Sequence, residues 1–427
     1  MTQIMVLISL FLIPAYIFRF SIFGIPTNVF EISVLITFIC FIVSWIRNRD
    51  PSPEPALSLS NGLGMTARTR VKFGYIAAYF ILIFAAISIF VAADRTRALG
   101  IFKGWFLVPA ILYFIIINTF DRQKIRRITI PLFTSLILVS IWATLQKLGV
   151  ISTLFYQVGD SGFADYITRF RAFGPFESPN YLAMYLVPMM FITLPIFAYP
   201  KRITDKIFIV VLYLLPLYAL YASHSLGGLL AFGFGAISIL AFGLAKFYKA
   251  KIVNSGGRVT LLAVALVVVA VGFAIIFSSV GQETFSRSIR IDIYHYSIDL
   301  AKSHPIAGIG LGEFQQSVEK ISASNLGFQL YGLSYALHPH NIFLAFWLYL
   351  GLFGFLSFLY LLGSFFWNLA KRGGDILFLS ALFAAMVAII IHGLVDTTYF
   401  KNDLSAIFWL ILALGLIVGT KKNAEEK

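Results

Sequence analysis

The strongest candidate for acid–base chemistry is a histidine that stands directly before a long apolar run. His340 and Asn341 precede Ile342–Phe366, a run long enough to cross a bilayer. The positive end of a helix disfavours added positive charge, so the His340 imidazole is expected in the neutral form that a general base needs. Asn341 is expected to cap the helix or to orient the ring. His338 completes a His-x-His pair, but no cysteine or acidic cluster adjoins it in the sequence, so no metal site is expected.

Two arginines near other apolar runs have the chemistry to bind phosphate. Arg171 precedes a Gly-Pro turn, and Arg290 lies with Tyr294 ahead of Pro305. A guanidinium presents a planar fork of donors that matches phosphate oxygens. Arg290 and Tyr294 are spaced i,i+4, so they share a face of a predicted helix that Pro305 ends. The structural alternative for Arg171 is interfacial anchoring or pairing with Asp160, Asp165 or Glu177. For His340 it is an interfacial histidine in a capping pair with Asn341, and for Arg290 it is solvated charge on an amphipathic helix.

Further polar residues carry weaker signals. His392 and Asp396 are spaced i,i+4 near the end of another apolar run and could pair on one helix face, in a structural or a supporting role. Asn180 is expected to cap the helix that it begins. Several glycines are expected to allow close helix packing: Gly227, Gly228, Gly351 and Gly354.

The elements that position these residues are apolar segments of membrane-spanning length. Of 427 residues, 59% are hydrophobic and 12% are charged, whereas soluble domains have about 25% charged residues. This composition excludes a soluble enzyme, and continuous apolar runs exclude a β-barrel of short alternating strands. We predict an all-α polytopic integral membrane protein with about 12 transmembrane helices, near 3–18, 28–46, 73–92, 101–119, 128–146, 179–199, 207–222, 226–245, 260–280, 341–366, 376–395 and 403–420.

The net charge of +14 is explained by topology rather than by nucleic-acid binding. With the N-terminus inside, 21 of the 33 Lys and Arg residues fall in predicted cytoplasmic loops, as the positive-inside rule requires. Both termini are therefore predicted to be cytoplasmic. Two long loops, about 147–178 and 281–340, are predicted outside, and the larger is expected to be partly helical. Residues 1–427 are expected to form a single polytopic transmembrane domain.

Four motifs, in this order, resemble the O-antigen ligase and polymerase superfamily, and together they mark residues 165–410 as the expected catalytic region. The chain departs from that pattern where many members carry Ser-Arg-Gly, because Leu226 stands in place of the arginine. The matching segments are Arg171–Ala183, with the pattern Arg-x-x-Gly-x-Phe-x-x-Pro-Asn, Arg290–Gly310, His340-Asn341 with Gly351-Leu-Phe-Gly354, and His392–Asp396.

The resemblance implies a metal-independent, inverting membrane glycosyltransferase that needs no cofactor. Such an enzyme transfers a glycan from undecaprenyl diphosphate to an acceptor hydroxyl at the outer face of the cytoplasmic (inner) membrane, in lipopolysaccharide or other cell-envelope polysaccharide biosynthesis. His340 would be the general base, and Arg171 and Arg290 would bind the diphosphate. The supporting residues would be Asn341, Tyr294, His338, Asp396 and His392.

Two activities and one alternative class remain open. A ligase passes the finished glycan to a glycan, lipid or protein acceptor, and a repeat-unit polymerase passes the growing glycan to the next lipid-linked unit. Both use the same chemistry, and the expected partners are the lipid-linked donor, the acceptor and membrane lipids, without nucleic acid. A transporter or flippase for lipid-linked sugars is the alternative, but few charges lie within the apolar runs.

Overall fold

The computed structural model describes residues 1–47, 65–151, 171–250, 284–324, 338–373 and 375–418. These residues form a nearly all-α structure with one antiparallel hairpin, β1 (Arg19–Ile22) and β2 (Ile25–Asn28). The helices are α1 (Thr2–Phe11), α2 (Val29–Arg47), α3 (Met65–Val91), α4 (Arg95–Phe102), α5 (Val108–Thr119), α6 (Arg126–Lys147), α7 (Pro179–Thr193), α8 (Ile203–Ala222), α9 (Leu226–Ala250), α10 (Thr284–Ser303), α11 (Phe314–Ser324), α12 (Ile342–Lys371), α13 (Ile376–Gly393) and α14 (Asn402–Val418).

Among the described residues, eight helical stretches are long and apolar enough to cross a membrane: α2, α4 to α5, α6, α7 with the turn that follows it, α8, α9, α12 and α13. Three shorter apolar helices of the same residues, α1, α14 and Ala78–Val91 of α3, coincide with three more predicted segments. The predicted segment 260–280 lies outside the described residues. The multi-pass architecture is therefore confirmed, while the number of twelve spans and the placement of the termini stay predictions.

Small residues on α9 let it pack closely on α7 and α13. A Cβ at Gly235 would lie 2.3 Å from the Phe191 ring, and one at Gly228 would lie 2.5 Å from Ala183. The predicted role of Gly227 and Gly228 in close packing is confirmed, because a Cβ at Gly227 would meet the His392 ring at 2.7 Å. α14 lies almost entirely in the core.

Gly351 interrupts α12, which corrects its prediction as a plain helix-contact glycine. Its φ of +70° lies outside the helical region, and a Cβ there would lie 2.0 Å from the Ile306 carbonyl oxygen. The loop after α10 fills this break, since Leu352 N–H donates to the Pro305 and Ile306 carbonyls at 3.2 and 3.1 Å. Trp347 Nε1 also donates to Pro305 O at 2.9 Å. The loop thereby fixes α10, which ends before Pro305 as predicted, against the first half of α12.

Basic residues gather at the end of the bundle remote from His340. Lys246 Nζ near the end of α9 donates to the carbonyls of Ala370 and Arg372 at 2.7 and 2.6 Å. The end of α9 therefore lies beside the end of α12. Because α12 has 30 residues, this basic end lies on the order of 40 Å from the start of α12.

Candidate active site

The candidate site lies where the N-terminal ends of α7, α9 and α12 meet the turn after α13. Ser178, not Asn180, caps α7, because its side chain accepts from Tyr181 N–H at 3.2 Å. The predicted capping role of Asn180 is therefore wrong. With the cap supplied by Ser178, the Asn180 amide bonds to Arg171 on one side and to Asp396 on the other.

A chain of polar contacts runs from Arg171 to His340. Arg171 Nη2 donates to Asn180 Oδ1 at 3.1 Å, and Asn180 Nδ2 donates to Asp396 Oδ2 at 3.1 Å. The other carboxylate oxygen, Asp396 Oδ1, lies 3.3 Å from His340 Nδ1. That last contact is an ion-pair distance whose geometry falls short of a hydrogen bond. We call Arg171, Asn180, Asp396 and His340 the site chain.

Asp396 is the buried anion of the site. Its side chain is only 3% exposed, and Oδ1 also accepts from Thr397 N–H at 2.8 Å. Burial alone would raise the pKa of this carboxyl, but the imidazoles of His340 and His338 lower it well below its usual range. Asp396 therefore carries a negative charge beside two histidines.

His392 does not form the predicted helical pair with Asp396. α13 ends at Gly393, so Asp396 lies in the following turn rather than one helical turn onward. Neither ring nitrogen of His392 has a hydrogen-bond partner among the described residues. Its ring packs beside Gly227, and it shares the neighbourhood of Asp396 without a direct bond.

The two histidines of the His-x-His pair stand in different environments. Their ring centroids are 4.2 Å apart, and His338 Nδ1 lies 3.7 Å from Asp396 Oδ1. Burial, followed by the neighbouring His340, lowers the pKa of His338 to about 3, so His338 is neutral at physiological pH. The His340 side chain is 23% exposed, and its φ of +50° is uncommon outside glycine. Such backbone strain concentrates at functional sites.

Asn341 and Tyr294 hold this part of the chain in place. Asn341 Oδ1 accepts from the N–H groups of Phe343 and Leu344 at 2.9 and 3.1 Å, which confirms the predicted cap of α12. Asn341 Nδ2 donates to Leu394 O at 3.1 Å. The Tyr294 hydroxyl lies within bonding distance of His340 O (3.0 Å) and Leu394 O (3.2 Å), so α10 contacts both segments.

Arg290 acts on the same group of residues from α10, one turn before Tyr294. It is half-buried. Burial raises the pKa of Tyr294, and the positive charge of Arg290 partly opposes that rise. The same charge adds to the lowering of the pKa of His338, after burial and His340. Arg290 therefore lies within electrostatic reach of the site chain.

Three side chains of the site could hold a metal ion. His338 Nδ1, His340 Nδ1 and an Asp396 carboxylate oxygen lie within 4.8 Å of one another, and two histidines with one carboxylate are a known ligand set. The sequence has no acidic residue beside the histidine pair, but the fold brings Asp396 next to both histidines. With one carboxylate and the positive charge of Arg290 nearby, the electrostatics are poor for a divalent cation. A metal-free site stays a prediction.

No pattern in the sequence predicted the contacts of Asn180 with Arg171 and Asp396, or those of the turn before α9. Ser225 Oγ donates to Asn180 Oδ1 at 3.0 Å, and Arg171 Nε donates to the Ser223 carbonyl at 2.9 Å. An asparagine that follows a proline at a helix start resembles a helix cap in sequence. Its contacts with residues far away along the chain leave no pattern in the neighbouring sequence. Leu226, which replaces the arginine of the resembled motif, follows this turn directly.

Comparison with known proteins finds a family match that covers part of this site. Residues 210–359 match the family model described as O-antigen ligase. The resemblance to the O-antigen ligase and polymerase superfamily is thereby confirmed. The O-antigen ligase match contains Arg290, Tyr294, His338, His340 and Asn341, whereas the matched range excludes Arg171 and Asp396. It supports a membrane enzyme of polysaccharide biosynthesis. Among curated proteins, no match is found.

Proposed function

We propose that the protein transfers a glycan from undecaprenyl diphosphate to an acceptor hydroxyl, as an O-antigen or polysaccharide ligase. The observation that carries this proposal is the site chain, which joins a phosphate-binding type of residue, Arg171, to a general-base type of residue, His340, through two polar side chains. The family match to O-antigen ligases supports the reaction class.

The donor diphosphate would bind at Arg171 and Arg290. Arg171 and Lys147 both act on His224, whose pKa is lowered first by burial and then by these two positive charges. Two fixed positive charges near each other favour a multiply charged anion. Fixed guanidinium groups would also stabilise the charge that develops on the departing diphosphate, a role that metal ions fill in other transferases.

His340 would accept the proton of the acceptor hydroxyl. Its Nδ1 faces Asp396, which leaves Nε2 for the acceptor and favours the tautomer with the proton on Nδ1. As Nε2 takes the proton, the acceptor oxygen bonds to the anomeric carbon from the face opposite the diphosphate. The bond from that carbon to the diphosphate oxygen breaks, and the sugar inverts.

The site would face the exterior. The basic ends of α9 and α12 lie at the opposite end of the bundle from His340, and the positive-inside rule assigns such an end to the cytoplasm. An exoplasmic site at the helix ends also leaves the lipid tail of the donor within the bilayer.

The decisive test replaces His340 with alanine. We expect His340→Ala to lower the transfer rate by roughly 10²–10⁴-fold, because the proton acceptor is removed. Transfer is measured with purified protein in nanodiscs, synthetic undecaprenyl-diphosphate glycan and acceptor. Protein amount and the thermal unfolding midpoint are expected to stay near those of the wild type.

His304 at the end of α10 supplies the matched control. Its ring is exposed and bonds only locally to Ser303 at 2.9 Å, so His304→Ala is expected to transfer at the wild-type rate. Full activity of His340→Ala would remove that residue from the mechanism. Chelators are expected to leave the rate unchanged, and loss with EDTA restored by a divalent ion would instead assign His338, His340 and Asp396 to a metal.

Ligase and polymerase are separated by the glycans of a deletion strain. Loss of all attached polymer identifies a ligase, which is the activity that we propose. Attachment of single repeat units identifies a polymerase.

A further inference from the structure

The Asn180 side chain is the only member of the site chain with bonds to both of its neighbours. Its oxygen accepts from Arg171 Nη2 and from Ser225 Oγ, and its nitrogen donates to Asp396 Oδ2, at 3.0 to 3.1 Å. Since Ser178 caps α7, the local helix structure does not require Asn180. The structural role of the Asn180 side chain therefore consists of these three hydrogen bonds.

An amide is the chemical group that this position needs. It must accept a hydrogen bond from a guanidinium and donate one to a carboxylate, and a side-chain amide offers an acceptor and a donor on one rigid plane without carrying a charge. The orientation of the amide is fixed by charge. Turning it over would set the NH₂ group against Arg171 and the oxygen against Asp396, and both pairs would repel.

We infer that Asn180 is a positioning residue that couples the donor-diphosphate site to the general base. The inference rests on the proposed function, in which Arg171 binds the diphosphate and Asp396 orients His340. One amide then sets the separation of the leaving group and the base. A change there displaces both groups, whereas a change at either end displaces one.

The charges around the site chain decide what a substitution does. Asn180→Ala removes a bond from Arg171 and leaves one oxygen of Asp396 without its amide donor. Asn180→Asp keeps an acceptor for Arg171 but places a second carboxylate against Asp396, which favours positive charge on the nearby imidazoles. The titratable groups that interact electrostatically with Asp396 are His338, His340, His392, Tyr181 and Tyr294. The cations Arg290 and Lys401 act on His338 beside it, and Arg171 bonds to Asn180.

The test measures kcat, donor KM and the pH profile of both Asn180 variants in nanodiscs. We expect Asn180→Ala to lower kcat/KM about 10–100-fold, with a lower kcat and a higher donor KM, because two reacting groups are misplaced. We expect the acidic limb of the kcat profile of Asn180→Asp to move to higher pH by about 0.5–1 unit. Ser225→Ala, which removes a bond to the same amide oxygen but leaves the bonds of Asn180 to Arg171 and to Asp396 in place, is expected to stay within about threefold of the wild type.

A binding measurement separates this inference from the proposed function. In the His340→Ala background, undecaprenyl diphosphate itself is the probe, and adding Asn180→Ala is expected to weaken its binding about tenfold. Wild-type kcat, KM and pH profile in both Asn180 variants would overturn the coupling while an inactive His340→Ala still supports the proposed function. Loss of activity with an unchanged donor KM, unchanged binding and an unchanged pH profile would assign Asn180 a merely structural role and also overturn it. An active His340→Ala protein would overturn the proposed function itself.

Discussion

Two polar clusters lie side by side in this protein and are built largely from the same two chain segments. The first is the site chain of Arg171, Asn180, Asp396 and His340. The second, which we call the anchor cluster, comprises Tyr16, Arg19, Glu177 and Lys401. Residues 171–180 and 396–401 contribute to both.

The anchor cluster is closed. Glu177 accepts from the Tyr16 hydroxyl at 2.9 Å and from Arg19 Nη2 at 2.6 Å, and it pairs with Lys401 Nζ. Lys401 Nζ also lies 3.6 Å from the centre of the Tyr181 ring. Burial alone would raise the pKa of Glu177, but Lys401 and then Arg19 lower it below its usual value. Each charge in this cluster faces an opposite charge or an aromatic ring.

The site chain is open at one end. Nδ1 of His338 and of His340 have no hydrogen-bond partner within the described part of the chain, although both atoms face Asp396. His340 also keeps a strained backbone and a partly exposed ring. Buried polar groups normally find partners, so the anchor cluster, whose charges are all paired, differs from a site in which two buried imidazole nitrogens beside Asp396 have no hydrogen bond to a described residue. In the proposed function, Nε2 of the partly exposed His340 ring is the atom left for the acceptor.

The largest expected difference between the two clusters is in the transfer rates of arginine-to-lysine variants. Arg171→Lys and Arg290→Lys are each expected to lower the transfer rate by about 10²-fold, because an ammonium group lacks the fork that holds a diphosphate. Arg19→Lys is the matched control in the anchor cluster. Its side chain is 60% exposed, and its rate is expected to stay within about threefold of the wild type. Wild-type rates for both Arg171→Lys and Arg290→Lys would indicate simple anchoring.

Replacement of the buried Lys401 in the anchor cluster is expected to lower stability and leave the transfer rate unchanged. Lys401→Met leaves Glu177 without the more buried of its two cationic partners, and removing one side of a buried ion pair destabilises a fold by about 3–5 kcal/mol. The thermal midpoint in detergent is therefore expected to fall, while the transfer rate per folded molecule changes little. Lys302→Met removes the exposed pair with Asp299 at 3.7 Å and is expected to leave the midpoint unchanged. An unchanged midpoint for Lys401→Met would contradict a stabilising role of the anchor cluster.

The smallest expected effect is on the pH dependence of the free energy of unfolding. One pH range depends on His338, which lies beside the site chain, and a lower range depends on Glu177 of the anchor cluster. The pKa of His338 falls from 6.5 to about 3 on folding, so unfolded chains bind a proton between these values that the folded protein does not. Its contribution to stability is therefore complete above pH 6.5 and decreases as the pH falls towards 3. The pKa of Glu177 is lowered from 4.5, so its contribution is present above pH 4.5 and is lost only below that value.

His338→Gln distinguishes the two windows. The variant is expected to flatten the thermal midpoint between pH 6.5 and pH 4.5, where the wild type loses up to ~1.4 kcal/mol per pH unit. Below pH 4.5 both proteins should lose stability. Parallel curves for the two proteins over the whole range would show that His338 does not govern the upper window.

The sequence predicted the parts of the site that depend on local pattern. The cap at Asn341, the end of α10 before Pro305 and the small-residue packing of Gly227 and Gly228 each follow from a few neighbouring residues. The roles of Asn180 and Gly351 did not follow, because each is set by a contact partner more than 40 positions away. A cap motif and a helix-contact glycine were the nearest local interpretations, and the structure replaced both.

Composition and charge alone determined that this chain is a multi-pass helical membrane protein, because apolar runs of bilayer length and basic loops leave few other folds. Residue types alone marked His340, Arg171 and Arg290 as the groups for acid–base and phosphate chemistry. Only the tertiary structure decided that Asp396 stands between two histidines and that an asparagine joins it to Arg171. The reason is physical: hydropathy and capping act between neighbours in sequence, whereas a chain of polar contacts between segments far apart in sequence exists only after the helices have packed.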